Sequence, residues 1–202
     1  RELDDAVREA EQLVERGHRE IVLTGVNIGQ FSNRKLGILE LIQRLEAIPF
    51  LARIRISSIE PTTIPEALLD YMSTSTKLCR FLHVPLQSGD NRILHAMNRR
   101  YTVEEYSEWV GRAVRKVPDV CIGTDLMVGF PGESEQQFTQ TRAVVADLPL
   151  AYFHVFSYSE RSFARSKKLE GNVSQSDISQ RSKVLRELSV RKRRLFMDRF
   201  LG

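Results

Sequence analysis

Cysteine is nearly absent from this sequence, and its scarcity removes two classes of protein. The 202 residues hold two, Cys79 and Cys121, far apart in apolar, strand-like runs. That spacing suits neither a disulfide framework nor a metal site, so both read as buried structural thiols in a reducing cytoplasm. No apolar run reaches the length of a membrane span, and the first residues carry no signal-peptide pattern, so no membrane partner is expected. A glycine-rich dinucleotide fingerprint is missing after the first strand-like segment, which disfavours a doubly wound nucleotide-binding sheet. No strand end offers a lysine for Schiff-base chemistry, as a lyase or aldolase barrel would need. Aromatic platforms are too few for a purely single-stranded-RNA-binding module.

What is present is enough apolar content, 42%, to bury a sizeable core in one large domain or at most two. The net charge of +4 is uneven. Residues 161–202 hold 12 lysines and arginines against 4 acidic residues, while residues 1–160 hold 18 against 22. Positive charge is therefore a property of the C-terminal stretch.

Hydrophobic spacing organises the chain into alternating strands and helices. Leu3, Ala6, Val7, Ala10, Leu13 and Val14 repeat as a helix that Gly17 stops, with no capping residue ahead of it, and a missing upstream segment is inferred. Strands are expected at 20–24, 52–57, 80–84, 121–128 and 151–158. Helices are expected at 36–48, with Leu36, Leu39, Ile42 and Leu45 on one stripe, after Asp90, from the Thr102/Glu105 box through Val117, and from Ser134/Gln137 through Leu148. Thr63, Pro65 and Glu66 resemble another capping box with proline in the first turn. A last helix carries Ile178, Leu185, Leu188, Leu195 and Phe196 on one face and Arg191, Lys192, Arg193 and Arg194 among its basic residues. Such a helix either grips phosphates or presents a solvated face.

Chemistry in parallel α/β folds gathers at the C-terminal ends of strands, and several segments there are suggestive. Gly25-Val26-Asn27 admits a ligand or makes a plain turn. Glu60, held extended by Pro61, binds an amine or ribose or caps a helix. The stretch from Arg80 to Tyr101 reads as strand, Gln87-Ser88-Gly89 turn and helix, followed by the basic pair Arg99-Arg100. Asp125 interrupts an apolar strand, so it has a buried partner or faces a site. Gly129-Phe130-Pro131-Gly132-Glu133 permits close backbone approach. His154 reads first as a satisfied core histidine, with Phe156 expected on the opposite face of the strand.

Strands and helices alternating at this spacing imply parallel βα units with right-handed crossovers, a TIM-like barrel or part of one. Six segments in order, T-G-V-N (24–27), S-S-I-E-P (57–61), F-L-H-V-P-L-Q-S-G (81–89), M-N-R-R-Y (97–101), I-G-T-D-L-M-V-G-F-P-G-E (122–133) and H-V-F-S-Y-S (154–159), resemble the methylthiotransferases among the radical S-adenosylmethionine enzymes. Gly25-Val26-Asn27 and H-V-F-S-Y-S look most like the branch that methylthiolates threonylcarbamoyladenosine beside the tRNA anticodon. The isopentenyladenosine and ribosomal-protein branches are close relatives.

The resemblance implies a partial barrel of six βα units. Three cysteines of a C-x-x-x-C-x-x-C loop would hold a [4Fe–4S] cluster that cleaves S-adenosylmethionine to a deoxyadenosyl radical. That radical would abstract hydrogen from C2 of the adenine. A second cluster on an N-terminal domain would supply sulfur, a further S-adenosylmethionine the methyl group, and flavodoxin or ferredoxin the electrons. A monomer with a C-terminal RNA-binding domain is expected.

The cluster loop and the strand before it are absent here, so the 202 residues read as a fragment of the central domain, inactive alone: a truncated barrel core over 1–160, then a basic loop and C-terminal helix over 161–202 packing on it. By motif, Asn27 and Ser57 fall near the methionyl end of the cofactor, Glu60 and Gln87 near its ribose or amino group, and Thr124, Asp125 and Gly129 along its length. Phe156 becomes an adenine neighbour. Arg99, Arg100, Arg191, Lys192, Arg193 and Arg194 would serve tRNA phosphates. The loop 159–166, Ser-Glu-Arg-Ser-Phe-Ala-Arg-Ser, departs from the family's Pro-Arg-x-Gly-Thr-Pro turn.

Overall fold

The computed structural model describes residues 2–32, 36–160 and 171–201, so most of the loop 159–166 lies outside the described residues. The chain forms two compact units, Arg1–His83 with Ala113–Val120, and Val84–Arg112 with Cys121–Gly202.

In the first unit α1 (Leu3–Glu15) buries Leu3, Val7 and Ala10. It ends where Gly17 adopts φ +95°, a left-handed conformation open to glycine at little cost. Strand β1 (Glu20–Leu23) follows, and α2 (Ile38–Glu46) returns the chain to β2 (Arg53–Ile56). The two strands pair in parallel, Glu20 with Arg53 through Leu23 with Ile56. Strand β3 (Phe81–His83) lies along β2, through the Cys79 N–H to Ile54 O bond at 2.8 Å and the Ile59 N–H to His83 O bond at 3.0 Å.

Two expected features differ. The buried stripe of α2 is Ile38, Leu41, Ile42 and Leu45, while Leu36 is exposed. Gly37 is the N-cap, its N–H donating to Glu40 at 2.7 Å, so Leu36 lies before the helix and outside its buried face. The Thr63/Pro65/Glu66 capping box does not form. Pro61–Thr63 makes a 3-10 turn instead, and Pro65 precedes α3 (Glu66–Thr74) with no side-chain cap. Glu60 is extended, φ −72° and ψ 136°, as a residue before proline should be.

Glu46, at the end of α2, binds the far end of α3. Its carboxylate accepts from the Tyr71 hydroxyl, from Ser75 Oγ at 2.7 Å and from the Lys77 N–H at 3.2 Å. Burial opposes its ionisation, but these donors together hold its pKa below the usual value.

In the second unit Val84 to Gln87 runs beside β4 (Cys121–Val128), bonded at Val84 N–H to Gly123 O (2.9 Å). Asp90 caps α4 (Asn91–Ala96) by accepting from the N–H groups of Arg92 and Ile93. Thr102 and Glu105 exchange the expected box at the start of α5 (Val103–Lys116), and Trp109 and Val110 are buried. Ser134 and Gln137 do the same for α6 (Glu135–Asp147). Strand β5 (Tyr152–Ser157) pairs in parallel with β4, Gly123 opposite Tyr152 through Val128 opposite Ser157.

Helix α7 (Gln175–Asp198) covers β5, with Ile178 and Leu185 buried. Ser189 takes both backbone groups of Phe153, donating to its carbonyl at 2.7 Å and accepting from its N–H at 2.8 Å. The apolar face expected to run through Leu195 stops earlier, because Leu195 is 68% exposed. Among the described residues no helix is long and apolar enough to cross a membrane.

The Tyr71 phenol has its pKa raised to about 12 by burial and by the Glu46 carboxylate. The neutral, donating phenol therefore contributes stability in full below its ordinary pKa of 10.0, and that contribution fades as pH rises through about 12. An ultraviolet titration of the protein against its Tyr71→Phe variant should lose one phenolate transition near pH 12.

Candidate functional site

In the first unit the C-terminal ends of β1 and β2 carry Asn27, Ser57 and Glu60, all half-buried. Ser57 is fixed by its N–H to Leu23 O at 3.0 Å. Thr63 joins the other two, because its hydroxyl lies 3.2 Å from Asn27 Oδ1 and 2.9 Å from the Glu60 carbonyl oxygen. Gly29 makes the contact feasible, since a Cβ there would stand 2.1 Å from that hydroxyl. Sequence reasoning gave Thr63 only a capping role. The one Thr63 proton serves the nearer Glu60 carbonyl oxygen or is shared with Asn27 Oδ1, so the hydroxyl draws the Asn27 side chain and the Glu60 backbone together.

In the second unit Gln87 is held at φ +73°, which costs a non-glycine residue roughly 1–2 kcal/mol. Both its backbone groups are tied to β4, the N–H to Asp125 O at 2.8 Å and the carbonyl to Met127 N–H at 2.9 Å. That strained, pinned backbone presents a half-buried amide beside the strand. Thr124 is fully buried, and its hydroxyl accepts from Leu86 N–H at 2.8 Å, so it supports the Gln87 turn from behind.

Period-two alternation separates the two faces of β4 and β5. Thr124, Leu126, Val128, Phe153 and Val155 are buried. The opposite face carries Gly123, Asp125 and Met127 beside Tyr152, His154 and Phe156. His154 and Phe156 therefore share a face, contrary to the expectation from sequence, with ring centroids 6.4 Å apart. Nor is His154 a core histidine, as its side chain is 58% exposed. Its Nδ1 lies 3.2 Å from Asp125 Oδ1, and the Asp125 side chain is 19% exposed, which answers why an apolar strand tolerates a carboxylate. The Tyr152 ring stands 5.3 Å from His154 on the other side.

Gly129 has a packing role. It adopts φ +77°, a Cβ would meet Ile178 Cγ1 at 2.4 Å, and its N–H donates to Glu133 at 2.8 Å. Glu133 is buried with Arg181 at 2.8 Å, joining the Gly-Phe-Pro-Gly-Glu loop to α7. Burial raises the Glu133 pKa against the opposing pull of the Gly129 N–H and of Arg181.

The basic residues divide. Arg100, Arg191, Arg193 and Arg194 are exposed and Arg99 is half-buried. Lys192 instead donates to Leu148 O at 2.7 Å at the end of α6, and burial lowers its pKa.

Parallel strands followed by helices, with polar groups presented at the C-terminal ends, define an α/β protein with a partial TIM-like (β/α) fold. Residues 1–145 match the radical SAM superfamily, and the chain belongs to it. The threonylcarbamoyladenosine tRNA methylthiotransferase MtaB of Aquifex aeolicus is 35% identical over 202 residues, 100% of this chain and 49% of that protein. The tRNA-2-methylthio-N(6)-dimethylallyladenosine synthase of Opitutus terrae is 39% identical over 211 residues, 98% of this chain and 44% of that protein. The chain thus spans about half the length of these curated relatives. In fold it is similar to Streptococcus suis SuiB, solved bound to S-adenosylmethionine, with a TM-score of 0.61 at 12% identity over 95% of this chain and 40% of that one.

The chain's own residues do not fit a [4Fe–4S] cluster. Three thiolates from one loop are needed, whereas Cys79 precedes β3 and Cys121 opens β4, and burial raises the Cys79 pKa, disfavouring its thiolate. S-adenosylmethionine fits better, as its amino-acid and ribose groups call for the amides, hydroxyls and carboxylates that these strand ends present.

Gly129→Ala is expected to cost about 1–3 kcal/mol through overpacking and backbone strain. Adding Ile178→Ala should recover part of that loss by removing the atoms the new methyl meets. Thermal unfolding of the single and double variants measures both.

Proposed function

We propose that this chain is the S-adenosylmethionine-binding core of a tRNA methylthiotransferase acting at C2 of N6-threonylcarbamoyladenosine. The observation that carries the reading is the 35% identity to the Aquifex aeolicus enzyme across all 202 residues. Gly25-Val26-Asn27 and the H-V-F-S-Y-S strand favour this branch. The dimethylallyladenosine substrate is the second reading, favoured by the 39% identity to the Opitutus terrae synthase.

In this proposal Asn27, Ser57 and Glu60 bind the cofactor, as do Gln87, Asp125 and Phe156. Thr124 and Gly129 act through the backbone they shape. Bound S-adenosylmethionine supplies the hydrogen-abstracting radical and the methyl group. The protein's part is orientation: Thr63 locks the Asn27 loop to Glu60, and β4 holds the Gln87 amide in a pose its backbone would not adopt freely. The [4Fe–4S] clusters draw their ligands from outside these 202 residues, which alone are inactive. Arg99, Arg100, Arg191, Arg193 and Arg194 take tRNA phosphates, Lys192 secures the helix that presents them, and flavodoxin or ferredoxin donates electrons to a monomeric, cytoplasmic enzyme.

Mass spectrometry of total tRNA nucleosides from a strain lacking the full gene, set against its parent, tests this. Loss of the methylthio group from threonylcarbamoyladenosine alone is expected. Loss from the dimethylallyl nucleoside instead would move the substrate to the second reading, and no change in either would overturn tRNA as the substrate.

A further inference from the structure

We propose that Tyr101 is a positioning residue for the cofactor, its buried hydroxyl setting the pose of the Gln87 amide; this rests on the assignment of Gln87 to S-adenosylmethionine made above. Tyr101 closes the M-N-R-R-Y segment, directly after the Arg99-Arg100 pair.

The chain from Val84 to Gln87 cannot run as an ordinary strand. Pro85 has no N–H to donate, and Gln87 takes a left-handed φ of +73°, so regular pairing with β4 breaks between them. Strand β4 holds the two ends. Val84 N–H donates to Gly123 O at 2.9 Å, Gln87 N–H to Asp125 O at 2.8 Å, and Gln87 O accepts from Met127 N–H at 2.9 Å. Side chains serve what lies between. The Tyr106 hydroxyl donates to Val84 O at 2.8 Å, and Thr124 Oγ1 accepts from Leu86 N–H at 2.8 Å. The Tyr101 hydroxyl donates to Pro85 O at 2.9 Å with Leu86 O 3.3 Å away, so one proton is shared between the two peptide groups that lead into Gln87.

Tyr101 therefore bears on one dihedral above all. The Leu86 carbonyl belongs to the peptide that carries the Gln87 N–H, and the plane of that peptide fixes φ at Gln87. A left-handed glutamine is unfavourable by itself and persists only where its surroundings over-determine it. The Tyr101 ring cannot follow a retreating backbone, because it is 6% exposed and packed beside Tyr106, with ring centroids 6.2 Å apart. A hydroxyl fixed in that way is a template for the turn. Removing it leaves two carbonyls to find other partners by moving, and the Gln87 amide moves with them.

The full-length protein with its clusters assembled is prepared as wild type, Tyr101→Phe, Gln87→Ala and the double variant. Phenylalanine keeps the ring in place and removes only the donor. Equilibrium binding of S-adenosylmethionine is measured for each protein. Amide hydrogen exchange at Leu86 and Gln87 is followed in wild type and Tyr101→Phe without S-adenosylmethionine.

Tyr101→Phe is expected to exchange those two amides about tenfold faster while the other amides of the second unit change less than about twofold. It should bind S-adenosylmethionine about 3- to 10-fold more weakly. Because Tyr101 acts through Gln87, the double variant should bind within about twofold of Gln87→Ala alone. A merely structural tyrosine predicts losses that multiply in the double variant, or exchange that quickens throughout the second unit, and either result overturns the inference. Unchanged exchange or unchanged affinity in Tyr101→Phe overturns it as well. Unchanged affinity in Gln87→Ala removes Gln87 from the cofactor site, and the inference falls with that reading even where exchange at Leu86 and Gln87 quickens.

Discussion

The in-register parallel pairing of β4 with β5 decides what the rest of the second unit can do. Because side chains alternate, pairing Gly123 with Tyr152 and Asp125 with His154 commits Thr124, Leu126, Phe153 and Val155 to the core. The polar and aromatic residues are then left together on the other face. A slip of one residue would bury Asp125 and His154 and expose the apolar set. Ser189 guards that register by taking both backbone groups of Phe153, and the Glu133–Arg181 pair ties the loop after β4 to the same helix.

The first unit reaches a similar end by a different device. Its short strands β1 and β2 stop early, and the residues beyond them are organised by one hydroxyl, that of Thr63, between Asn27 and Glu60. In each unit the residues singled out from the sequence are held by backbone or by a neighbouring side chain, which lowers the ordering cost of binding any ligand.

Much of this was legible in the sequence. Strand β4 matched over its whole length, and the boxes at Thr102/Glu105 and Ser134/Gln137 formed as expected, because each depends on residues three apart. The α2 stripe was misplaced because Gly37 caps the helix, leaving Leu36 outside it. The Thr63 box failed because two prolines divide that segment and its hydroxyl is drawn to Glu60 and Asn27. The exposure of His154 and the packing role of Gly129 depend on partners about 30 and 50 residues away, Asp125 and Ile178, which local spacing cannot supply. The left-handed conformation of Gln87 had no local signal, since glutamine has no preference for it.

The most direct measurement is equilibrium binding of S-adenosylmethionine to the full-length protein, its clusters assembled, alongside Glu60→Gln and Gln87→Ala. If Glu60 and Gln87 bind the cofactor, binding will be saturable and each substitution will weaken it about tenfold. Unchanged affinity in both variants would contradict the assignment of these strand ends to the cofactor.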